Sequence, residues 1–485
     1  MPLKFRTSGL RGLVTNMTDR ECYLYARAFL RYTRLSGEIT EAALGGDFRA
    51  STPRIMRAVG FAIKDEGCKL FFQGILPTPA VTLFGIKHGI PSIMVTGSHI
   101  PDDRNGIKFN LPRGEILKSD EPGIVEQYQL LKAEGVGKEF FTENGLLADS
   151  TYCLPEPDGR AVEMYRERLN NFFGADKSLN GVKVVFYQHS STSRDIIPEI
   201  LERLGAEVFR RGYSDTFIPV DTEAVEDLDK LSGWVCEYQA DALFSTDGDG
   251  DRPLVVDDKG GFIRGDILGI LVADFLGAGA VVTPVSCSTS LEQCGKFSRI
   301  LRTRIGSPFV VEGMESLTAG EKAVVGYEAN GGFLTGSEIP SPSGGIALGP
   351  LPTRDAALPA ISALLSAVKK GISLSELVKQ LPARFSDADL IRGVPAVTGK
   401  RIMKILIAGG RTLLEKQFGT ACGTVESTDT TDGYRILFSG GEIVHFRPSG
   451  NAPEFRCYTE SDSLEKATSL ARQGIEWARR LTIDD

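Results

Sequence analysis

The sequence predicts a multidomain α/β protein that ends in a smaller α+β domain. Its 485 residues exceed what one hydrophobic core usually organises, so we expect three or four domains of ordinary size. Through most of the chain, short β-rich runs alternate with stretches of helical periodicity, which is typical of α/β units. Toward the carboxyl end the pattern changes to an amphipathic helix over 399–418, alternating strands and a last helix. That order indicates an α+β fold.

Four domains follow from this pattern. Their boundaries fall where turn-forming residues interrupt the periodicity, as in the acidic, glycine-containing stretch after Phe141. The first three domains contain similar series of apolar runs and helical patterns, and they look like related folds. The predicted domains are 1–153, 154–260, 261–382 and 383–485.

Composition and charge exclude several classes of protein. Hydrophobic residues make up 42% and charged residues 24% of the chain, which is typical of a folded globular protein. The formal net charge of -8 argues against a broad surface for nucleic acid, because such binding needs many Lys and Arg contacts to phosphates. No apolar run approaches the roughly 18 residues of a membrane span, and the first residues do not resemble a signal peptide. We therefore expect a cytoplasmic protein that binds small molecules, with no nucleic-acid or membrane partner.

The segment from Thr96 to Lys108 contains a candidate nucleophile. It reads T-G-S-H-I-P-D-D-R-N-G-I-K and directly follows an apolar run. Ser98 and His99 therefore lie at a predicted strand end, where open α/β sheets present ligand sites. A serine beside a base is a potential nucleophile, but such a pair in a loop is more often a solvated turn.

A second segment, S-T-D-G-D-G-D-R, places three carboxylates close together. Asp247, Asp249 and Asp251 are separated by glycines that allow the backbone to fold back. Three close carboxylates repel one another unless a cation lies among them. An EF-hand is excluded because Arg252 and Asp258 stand where that loop needs Gly and Glu. The segment predicts a Mg²⁺ site with positions open to a phosphoryl oxygen, and its alternative is a solvated acidic turn.

The segment G-Y-E-A-N-G-G offers groups that suit sugar hydroxyls. Glu328 supplies an acceptor, and Asn330 supplies both a donor and an acceptor, at the end of an apolar run. Glycine and asparagine also occur simply because a turn needs them. This segment is therefore interpreted either as a sugar-binding loop or as an ordinary glycine-rich turn.

The segment F-R-P-S-G-N-A-P-E-F-R has the composition of a phosphate cradle. Arginine, a hydroxyl and free backbone N–H groups in a tight turn together bind anions. The alternative is that the arginines only pair with acids at the surface. The candidate phosphate ligands are Arg447, Ser449, Gly450, Asn451 and Arg456.

In this order, and with T-S-G-L-R-G near the amino terminus, these segments resemble the α-D-phosphohexomutase family, which includes phosphomannomutases and phosphoglucomutases. The similarity spans essentially the whole chain, and the Ser-His and D-G-D-G-D-R segments are its most specific parts. The resemblance implies three α/β domains and a fourth α+β domain around a central cleft. It also implies an isomerase that interconverts hexose 1-phosphates and 6-phosphates through a phosphoserine and a 1,6-bisphosphate.

The same resemblance assigns roles to individual residues. Ser98 would carry the phosphoryl group and hold Mg²⁺ together with the three aspartates. His99 and Lys108 would transfer protons, and Arg11 and Arg252 would be electrostatic partners of the transferring group. The loop with the glutamate would contact sugar hydroxyls, and the arginine turn would hold the phosphate that does not react.

Departures from the family pattern concern the identity of the sugar. Ile100 stands where the family commonly has Asn, Asn330 where Ser is frequent, and Asn451 and Ala452 where Thr and Glu are common. The segment with Glu328 and Asn330 favours mannose as the sugar, and therefore a phosphomannomutase. Phosphoglucomutase and phosphoglucosamine mutase are the alternatives. A different class of function also stays open: a phosphoserine-dependent sugar phosphatase or a non-catalytic sugar-phosphate sensor.

Overall fold

The computed structural model describes residues 3–6, 9–174, 177–449 and 453–483. The chain forms two compact units. Unit 1 comprises Met1–Val282 and Ser307–Val378, and unit 2 comprises Thr283–Gly306 and Lys379–Asp485.

The first sheet of unit 1 has the strand order β1-β2-β6-β5-β3-β4, with β7 paired to β6, among the described residues. Strand β3 runs parallel to β4 and β5, whereas β5 and β6 are antiparallel. The strands are β1 (Lys4–Phe5), β2 (Leu10–Leu13), β3 (Glu41–Gly46), β4 (Lys69–Ile75), β5 (Ser92–Val95), β6 (Arg104–Leu111) and β7 (Gly114–Glu115). The helices are α1 (Asp19–Arg34), α2 (Thr52–Asp65), α3 (Thr78–His88) and α4 (Glu121–Ala133), followed by a 3₁₀ turn at Lys138–Phe140.

Helix α1 shows why these residues fold as they do. The Thr18 hydroxyl accepts the backbone N–H of Glu21, which caps the first turn. Cys22, Ala26 and Phe29 are buried at the spacing of one helical face, and this apolar stripe packs into the core of the first sheet.

The second sheet of unit 1 has the order β12-β11-β10-β8-β9. Strand β8 runs parallel to β9 and β10, and β10 is antiparallel to β11. Its strands are β8 (Lys183–His189), β9 (Glu207–Tyr213), β10 (Ala242–Thr246), β11 (Pro253–Asp257) and β12 (Phe262–Ile263). The helices of this region are α5 (Arg160–Phe173), α6 (Ile196–Arg203) and α7 (Leu228–Tyr238).

The third region repeats the same arrangement. Strands β13 (Ala280–Pro284) and β15 (Val324–Tyr327) are parallel, and β15, β16 (Phe333–Thr335) and β17 (Leu351–Asp355) are successively antiparallel. Strand β14 (Arg299–Thr303) belongs to unit 2. The helices are α8 (Gly265–Phe275), α9 (Ser290–Gln293), which also belongs to unit 2, α10 (Ser307–Leu317), α11 (Ala357–Lys370) and α12 (Leu374–Lys379).

One turn recurs in all three sheets of unit 1. It connects a strand that has a parallel neighbour to the antiparallel strand that follows: β5 to β6, β10 to β11 and β15 to β16. These three turns carry the Ser-His segment, the three aspartates and Glu328. The prediction of three related α/β folds is confirmed.

Unit 2 contains the predicted α+β fold. Its sheet is antiparallel with the order β18-β22-β21-β20-β19, and Phe418, Phe446 and Trp477 meet in its core. The elements are β18 (Phe385–Arg392), α13 (Ala396–Cys422), β19 (Val425–Asp429), β20 (Tyr434–Phe438), β21 (Ile443–Pro448), β22 (Glu454–Ser461) and α14 (Leu464–Ile483). The domain boundaries and the central cleft stay predictions.

Helix α13 differs from the single amphipathic helix that the sequence predicts over 399–418. Gly410 has φ 54° and ψ -156°, so the helix is interrupted there. The pair Gly409-Gly410 permits this conformation because a residue without Cβ adopts positive φ at little cost.

None of the helices in the described parts of the chain combines the length and the apolar character that crossing a bilayer requires. The cytoplasmic location stays a prediction.

Candidate active site

Ser98 is held in an uncommon backbone conformation in the turn between β5 and β6. Its φ is 59°, in the left-handed region, which costs an L-residue about 1–2 kcal/mol. The Ser98 N–H donates to the Thr96 hydroxyl at 2.8 Å, and the side chain is fully buried. A strained residue of this kind persists only where its surroundings determine its position.

Arg49 fixes much of the position of Ser98. Sequence reasoning missed this arginine. Its guanidinium donates to the carbonyl oxygens of Ser98 and Pro101 at 2.9 Å, of Ile100 at 2.5 Å and of Arg104 at 3.1 Å. The Arg49 side chain is buried. One cation therefore organises the whole turn that carries the candidate nucleophile.

Asp47 completes this support from the end of β3. Its carboxylate accepts the hydroxyls of Thr52 at 2.6 Å and Thr96 at 2.7 Å, and it accepts Arg49 Nε at 3.2 Å. The signal for Asp47 and Arg49 was the segment G-G-D-F-R-A-S, in which charged residues follow a predicted buried strand. Such residues at a strand end are candidates for a site.

The three predicted metal ligands converge on Ser98. The Ser98 hydroxyl donates to Asp247 Oδ2 at 2.6 Å. One carboxylate oxygen from each of Asp247, Asp249 and Asp251 lies within 4.8 Å of the others, and all three side chains are fully buried. We call these three residues the triad.

The triad fits a divalent cation on two grounds. The Oδ1 atoms of Asp249 and Asp251 are buried and have no hydrogen-bond partner among the described residues, and a buried oxygen of this kind needs a donor or a cation. Carboxylate oxygens are also the ligands that hard divalent cations prefer. The predicted metal site is supported at this coarser level.

Gly248 allows the triad turn to approach Ser98. A Cβ added at Gly248 would lie 3.0 Å from the Ser98 carbonyl oxygen and 2.7 Å from the Phe217 ring. Any larger residue would push the turn away from the serine. The alternation of glycine and aspartate is therefore a packing requirement as well as a matter of flexibility.

The carboxylates of the triad differ in their electrostatics. Burial raises the pKa of Asp247 well above its ordinary value, and repulsion from Asp249 and Asp251 raises it further. Burial also opposes ionisation of Asp251, but the attraction of Arg354 and Lys108 outweighs it, and the pKa of Asp251 lies below the usual range. Of these two carboxylates, Asp251 is therefore the more readily ionised.

Lys108 contacts the triad directly from β6. Its ammonium donates to Asp249 Oδ2 at 2.6 Å and to Asp251 Oδ2 at 2.5 Å. Burial lowers the pKa of Lys108, but these two carboxylates outweigh burial and raise it above the ordinary value. The lysine is therefore a cation in this arrangement, and its predicted role as a base stays a prediction.

His99 lies beside the serine oxygen. Its Nδ1 is 3.3 Å from Ser98 Oγ. Burial depresses the pKa of His99 strongly, and the nearby cations Arg252 and Arg11 depress it further. The imidazole is therefore neutral, and the depressed pKa opposes its protonation in this arrangement, so its predicted role in proton transfer stays a prediction.

Arg11 and Arg252 belong to the same electrostatic cluster. Burial lowers the pKa of Arg11 to about 10, with repulsion from Arg252 and Arg354 as further causes. Arg252 Nε lies 3.9 Å from Asp247 Oδ2 and 3.7 Å from Asp251 Oδ1. The structure thus brings both predicted electrostatic partners to the triad.

The sugar loop, defined as residues 328–332 between β15 and β16, connects to the triad through Arg354. This arginine donates to Glu328 Oε2 at 3.0 Å and to Asp251 Oδ2 at 2.8 Å. Asn330 Oδ1 accepts the N–H of Gly332 at 3.0 Å, so this side chain caps its own turn. Sequence reasoning missed Arg354, and its only signal was an arginine inside the short strand P-T-R-D.

In unit 2 the predicted phosphate ligands lie on neighbouring strands. Arg447 on β21 and Arg456 on β22 are directly opposite in register. Arg447 Nε lies 2.9 Å from Asp432 Oδ1, and Arg456 Nη2 lies 2.8 Å from Glu454 Oε2. Two adjacent arginines on one face suit an anion, and each already has an acidic partner in the chain.

The turn between these strands is described only in part. The Ser449 N–H donates to the carbonyl of Glu454 at 2.8 Å, which begins the turn. Gly450 and Asn451 lie outside the described residues. Asp432 also accepts the N–H of Ile305 at 2.9 Å within unit 2.

A buried serine hydroxyl on a carboxylate triad, with a lysine and arginines around it, is suited to metal-assisted phosphoryl transfer. Comparisons with known proteins agree with this class. Three family profiles match the chain, described as phosphoglucomutase/phosphomannomutase, alpha/beta/alpha domains I, II and III. They cover residues 2–134, 163–261 and 264–385, respectively.

Two relatives and one solved structure extend the similarity to the whole chain. A phosphomannomutase from Salmonella muenchen is 39% identical and covers 96% of this chain and 94% of the relative. A phosphomannomutase from Sinorhizobium fredii is 40% identical and covers 97% and 98%. A phosphoglucomutase/phosphomannomutase family protein from Burkholderia thailandensis shares the fold, with a TM-score of 0.74 at 19% identity, and the match covers 98% of this chain and 97% of that one.

The chain belongs to the phosphoglucomutase/phosphomannomutase family. The predicted resemblance and the predicted isomerase class are confirmed by the full-length relatives. The roles of the individual site residues stay predictions.

Proposed function

We propose that this enzyme is a phosphomannomutase that interconverts mannose 1-phosphate and mannose 6-phosphate. Family membership and the two relatives support a mutase of this type. The observation that carries the chemistry is the 2.6 Å hydrogen bond from the Ser98 hydroxyl to Asp247. It joins the candidate phosphoryl carrier to a triad that fits a divalent cation.

The triad and the phosphorylated form of Ser98 would hold Mg²⁺. When bound, the ion neutralises charge on the oxygens of the transferring phosphoryl group. The chain supports this role because Oδ1 of Asp249 and Oδ1 of Asp251 accept no hydrogen bond from the described residues. Arg11 and Arg252 add fixed positive charge near Ser98, where it would act without reorganisation during the reaction.

The reaction consists of two balanced transfers. In the first, the bond between Ser98 Oγ and phosphorus breaks, and a free hydroxyl of the hexose monophosphate forms the new bond, which gives the 1,6-bisphosphate and free serine. In the second, after the bisphosphate turns over, Ser98 Oγ takes the other phosphoryl group. The proton lost by the sugar in the first transfer returns to the sugar in the second, so nothing is consumed.

Proton transfer is assigned to His99 and Lys108. His99 Nδ1 lies 3.3 Å from Ser98 Oγ, close to hydrogen-bond reach of the oxygen that gains and loses the proton. Lys108 reaches the two carboxylates of Asp249 and Asp251. The buried positive charge of Lys108 reduces the repulsion between these two carboxylates both before and after the phosphoryl transfer.

The remaining predicted ligands are assigned to the substrate. Glu328 and Asn330 contact hydroxyls that are common to both orientations of the sugar. The phosphate that does not react is held by the hairpin of unit 2. Its proposed ligands are Arg447, Ser449, Gly450, Asn451 and Arg456.

The test is a comparison of substrates with purified enzyme, Mg²⁺ and a trace of the matching 1,6-bisphosphate. Initial rates of conversion to the 6-phosphate are measured for the 1-phosphates of mannose, glucose, glucosamine and N-acetylglucosamine. We expect the highest kcat/KM for mannose 1-phosphate, and we expect no conversion by Ser98→Ala. A higher value for another sugar would overturn the mannose assignment.

The same assay separates the other classes of function. Release of inorganic phosphate in excess of isomerised sugar would indicate a phosphatase. Binding of hexose phosphates without turnover would indicate a sensor. Either result would contradict the proposed function.

A further inference from the structure

Arg354 has no place in the mechanism above, although it contacts two of its parts. It lies on β17, and its Nε and Nη2 donate to Asp251 Oδ2 at 3.1 and 2.8 Å. Its Nη1 donates to Glu328 Oε2 at 3.0 Å. One guanidinium therefore binds two carboxylates that come from different turns of unit 1.

We propose that Arg354 is a positioning residue that couples the triad to the sugar loop by holding Asp251 and Glu328 with a single guanidinium. The inference rests on the proposed function for the role of Glu328 in sugar binding. Arg354 is 1% exposed, so neither contact is screened by solvent. A change in the orientation or charge of one carboxylate is therefore transmitted to the other.

The surrounding chain is shaped to fix this arginine. A Cβ added at Gly332 would lie 2.5 Å from Arg354 Cδ, so the side chain passes directly over the glycine that closes the sugar loop. The preceding residue is anchored as well, because the Thr353 hydroxyl donates to Glu115 Oε1 at 2.6 Å. The arginine is thus held from both sides of its strand.

The geometry requires arginine rather than another cation. A planar guanidinium presents its donors in a fixed fork, whereas a lysine ammonium is a single point of charge. The fork directs two N–H groups to Asp251 and one to Glu328. Lysine would conserve the charge but would not present donors in the fixed, planar fork that joins these two carboxylates.

The first test uses Mn²⁺ alone as the probe, titrated into the full-length, unphosphorylated protein without sugar. Glu328→Gln changes a residue outside the triad. We expect it to weaken Mn²⁺ binding by about 3- to 10-fold, a coupling typical of residues in one network, because Arg354 then bears more fully on Asp251. In an Arg354→Met background the same change should alter the Kd by less than about 2-fold. Equal factors in both backgrounds would overturn the coupling.

The second test measures KM for mannose 1-phosphate. Arg354→Met and Glu328→Gln should each raise KM by about 10-fold, and the double variant should also raise it by about 10-fold rather than by the product, because one residue acts through the other. A multiplicative effect would show that the arginine does not act through Glu328.

Arg354→Lys keeps the proposal testable if the methionine variant does not fold. Arg354→Lys conserves the buried charge. In this background we nevertheless expect Glu328→Gln to have as small an effect on Mn²⁺ binding as in the Arg354→Met background. Retention of the wild-type effect would contradict the need for a fork. Arg168→Met is the matched control, because Arg168 donates to the Gly349 carbonyl and the Thr335 hydroxyl and to neither loop. It should leave both constants unchanged.

The two arms also separate this inference from the proposed function. The comparison of Mn²⁺ affinities needs no turnover. It therefore reports on the coupling between Asp251 and Glu328 even if no hexose phosphate is isomerised. If the wild type shows no turnover but Glu328→Gln weakens Mn²⁺ binding only when Arg354 is present, the mutase assignment alone is wrong. If turnover is normal but Glu328→Gln changes the Mn²⁺ Kd equally in both backgrounds, the proposed role of Arg354 alone is wrong.

Discussion

The triad turn of unit 1 and the arginine hairpin of unit 2 both connect antiparallel neighbours, yet they are built differently. The triad is fully buried, and Ser98, Lys108 and Arg354 hold its carboxylates. Arg447 and Arg456 have side-chain exposures of 17% and 37% and pair with acids of their own unit. The first arrangement is fixed before a substrate arrives, whereas in the second a phosphate would replace existing partners. We therefore expect changes in the triad to reduce kcat and changes in the hairpin to raise KM.

The largest effect is expected from Asp249→Asn. The substitution keeps the shape of the side chain but removes negative charge from a carboxylate whose Oδ1 accepts no hydrogen bond within the described parts of the chain. We expect kcat to fall by about 10³-fold or more, the scale of losing a central electrostatic group. Steady-state kinetics at saturating Mg²⁺ measure it, with the exposed Asp229→Asn on α7 as control. Retention of a tenth of wild-type kcat would contradict the role of the triad.

A second large effect concerns stability and distinguishes the two units. Arg49→Met leaves four carbonyl groups and the buried Asp47 without their cation. We expect unit 1 to lose about 3 to 5 kcal/mol of unfolding free energy. Arg166→Met, which removes ion pairs nearer the surface, should cost less than about 1 kcal/mol.

The two tryptophans allow this measurement for each unit separately. The chain has only Trp234 and Trp477, in unit 1 and unit 2, respectively. Urea unfolding followed by fluorescence in a Trp477→Phe background reports on unit 1, and a Trp234→Phe background reports on unit 2. A shift of equal size in both backgrounds would contradict the assignment of Arg49 to unit 1 alone.

A smaller effect is expected from Arg447→Met in the hairpin. It removes one charge-assisted contact to the phosphate, worth roughly 1.5–3 kcal/mol, so KM for mannose 1-phosphate should rise by about 10- to 100-fold. Turnover at saturation should change by less than about 3-fold, because the contact is made equally in ground and transition states. The exposed Arg411→Met is the control. A fall in kcat with KM unchanged would place Arg447 at the reacting phosphate instead.

The smallest effect is a pH dependence of stability from a buried histidine in each unit. Burial lowers the pKa of His189 and of His445 to about 4. The folded state keeps both neutral, whereas the unfolded chain binds protons near pH 6.5, so stability is complete above pH 6.5 and is lost as pH falls toward 4. Lowering the pH from 7 to 6 should cost roughly 0.5 to 1 kcal/mol per histidine.

His445→Gln isolates this contribution in unit 2. In the Trp234→Phe background, the urea midpoint of this variant should fall less between pH 7 and pH 5 than the midpoint of the protein that keeps His445. An unchanged decline would show that other groups cause it. The same comparison with His189→Gln applies to unit 1 in the Trp477→Phe background.

Whether an interaction could be predicted from the sequence depended on how far apart its residues lie along the chain. Asp247, Asp249 and Asp251 are close in sequence, so their chemistry was visible as a pattern. Arg354 lies 103 residues from Asp251, and Arg49 lies 49 residues from Ser98. An arginine without a local motif gives no sign of its partner, and only the packing of strands reveals it.

The fold shows the same limit. Apolar runs such as those at β3, β8 and β10 predicted buried strands, because a buried parallel strand reads as a continuous apolar segment. Strand β18 reads F-S-D-A-D-L-I-R and lies at an edge of its sheet, so it lacked that signal and was missed. The break of α13 at Gly410 was missed because its apolar periodicity continues through the two glycines.

The most direct test of the central claim is the location of the phosphoryl group. The protein is incubated with mannose 1,6-bisphosphate, digested and mapped by mass spectrometry, and then chased with mannose 6-phosphate. The account predicts one phosphate on the peptide that contains Ser98, its loss on the chase with formation of bisphosphate, and no label in Ser98→Ala. Turnover by an enzyme whose phosphate lies elsewhere, or that carries none, would contradict it.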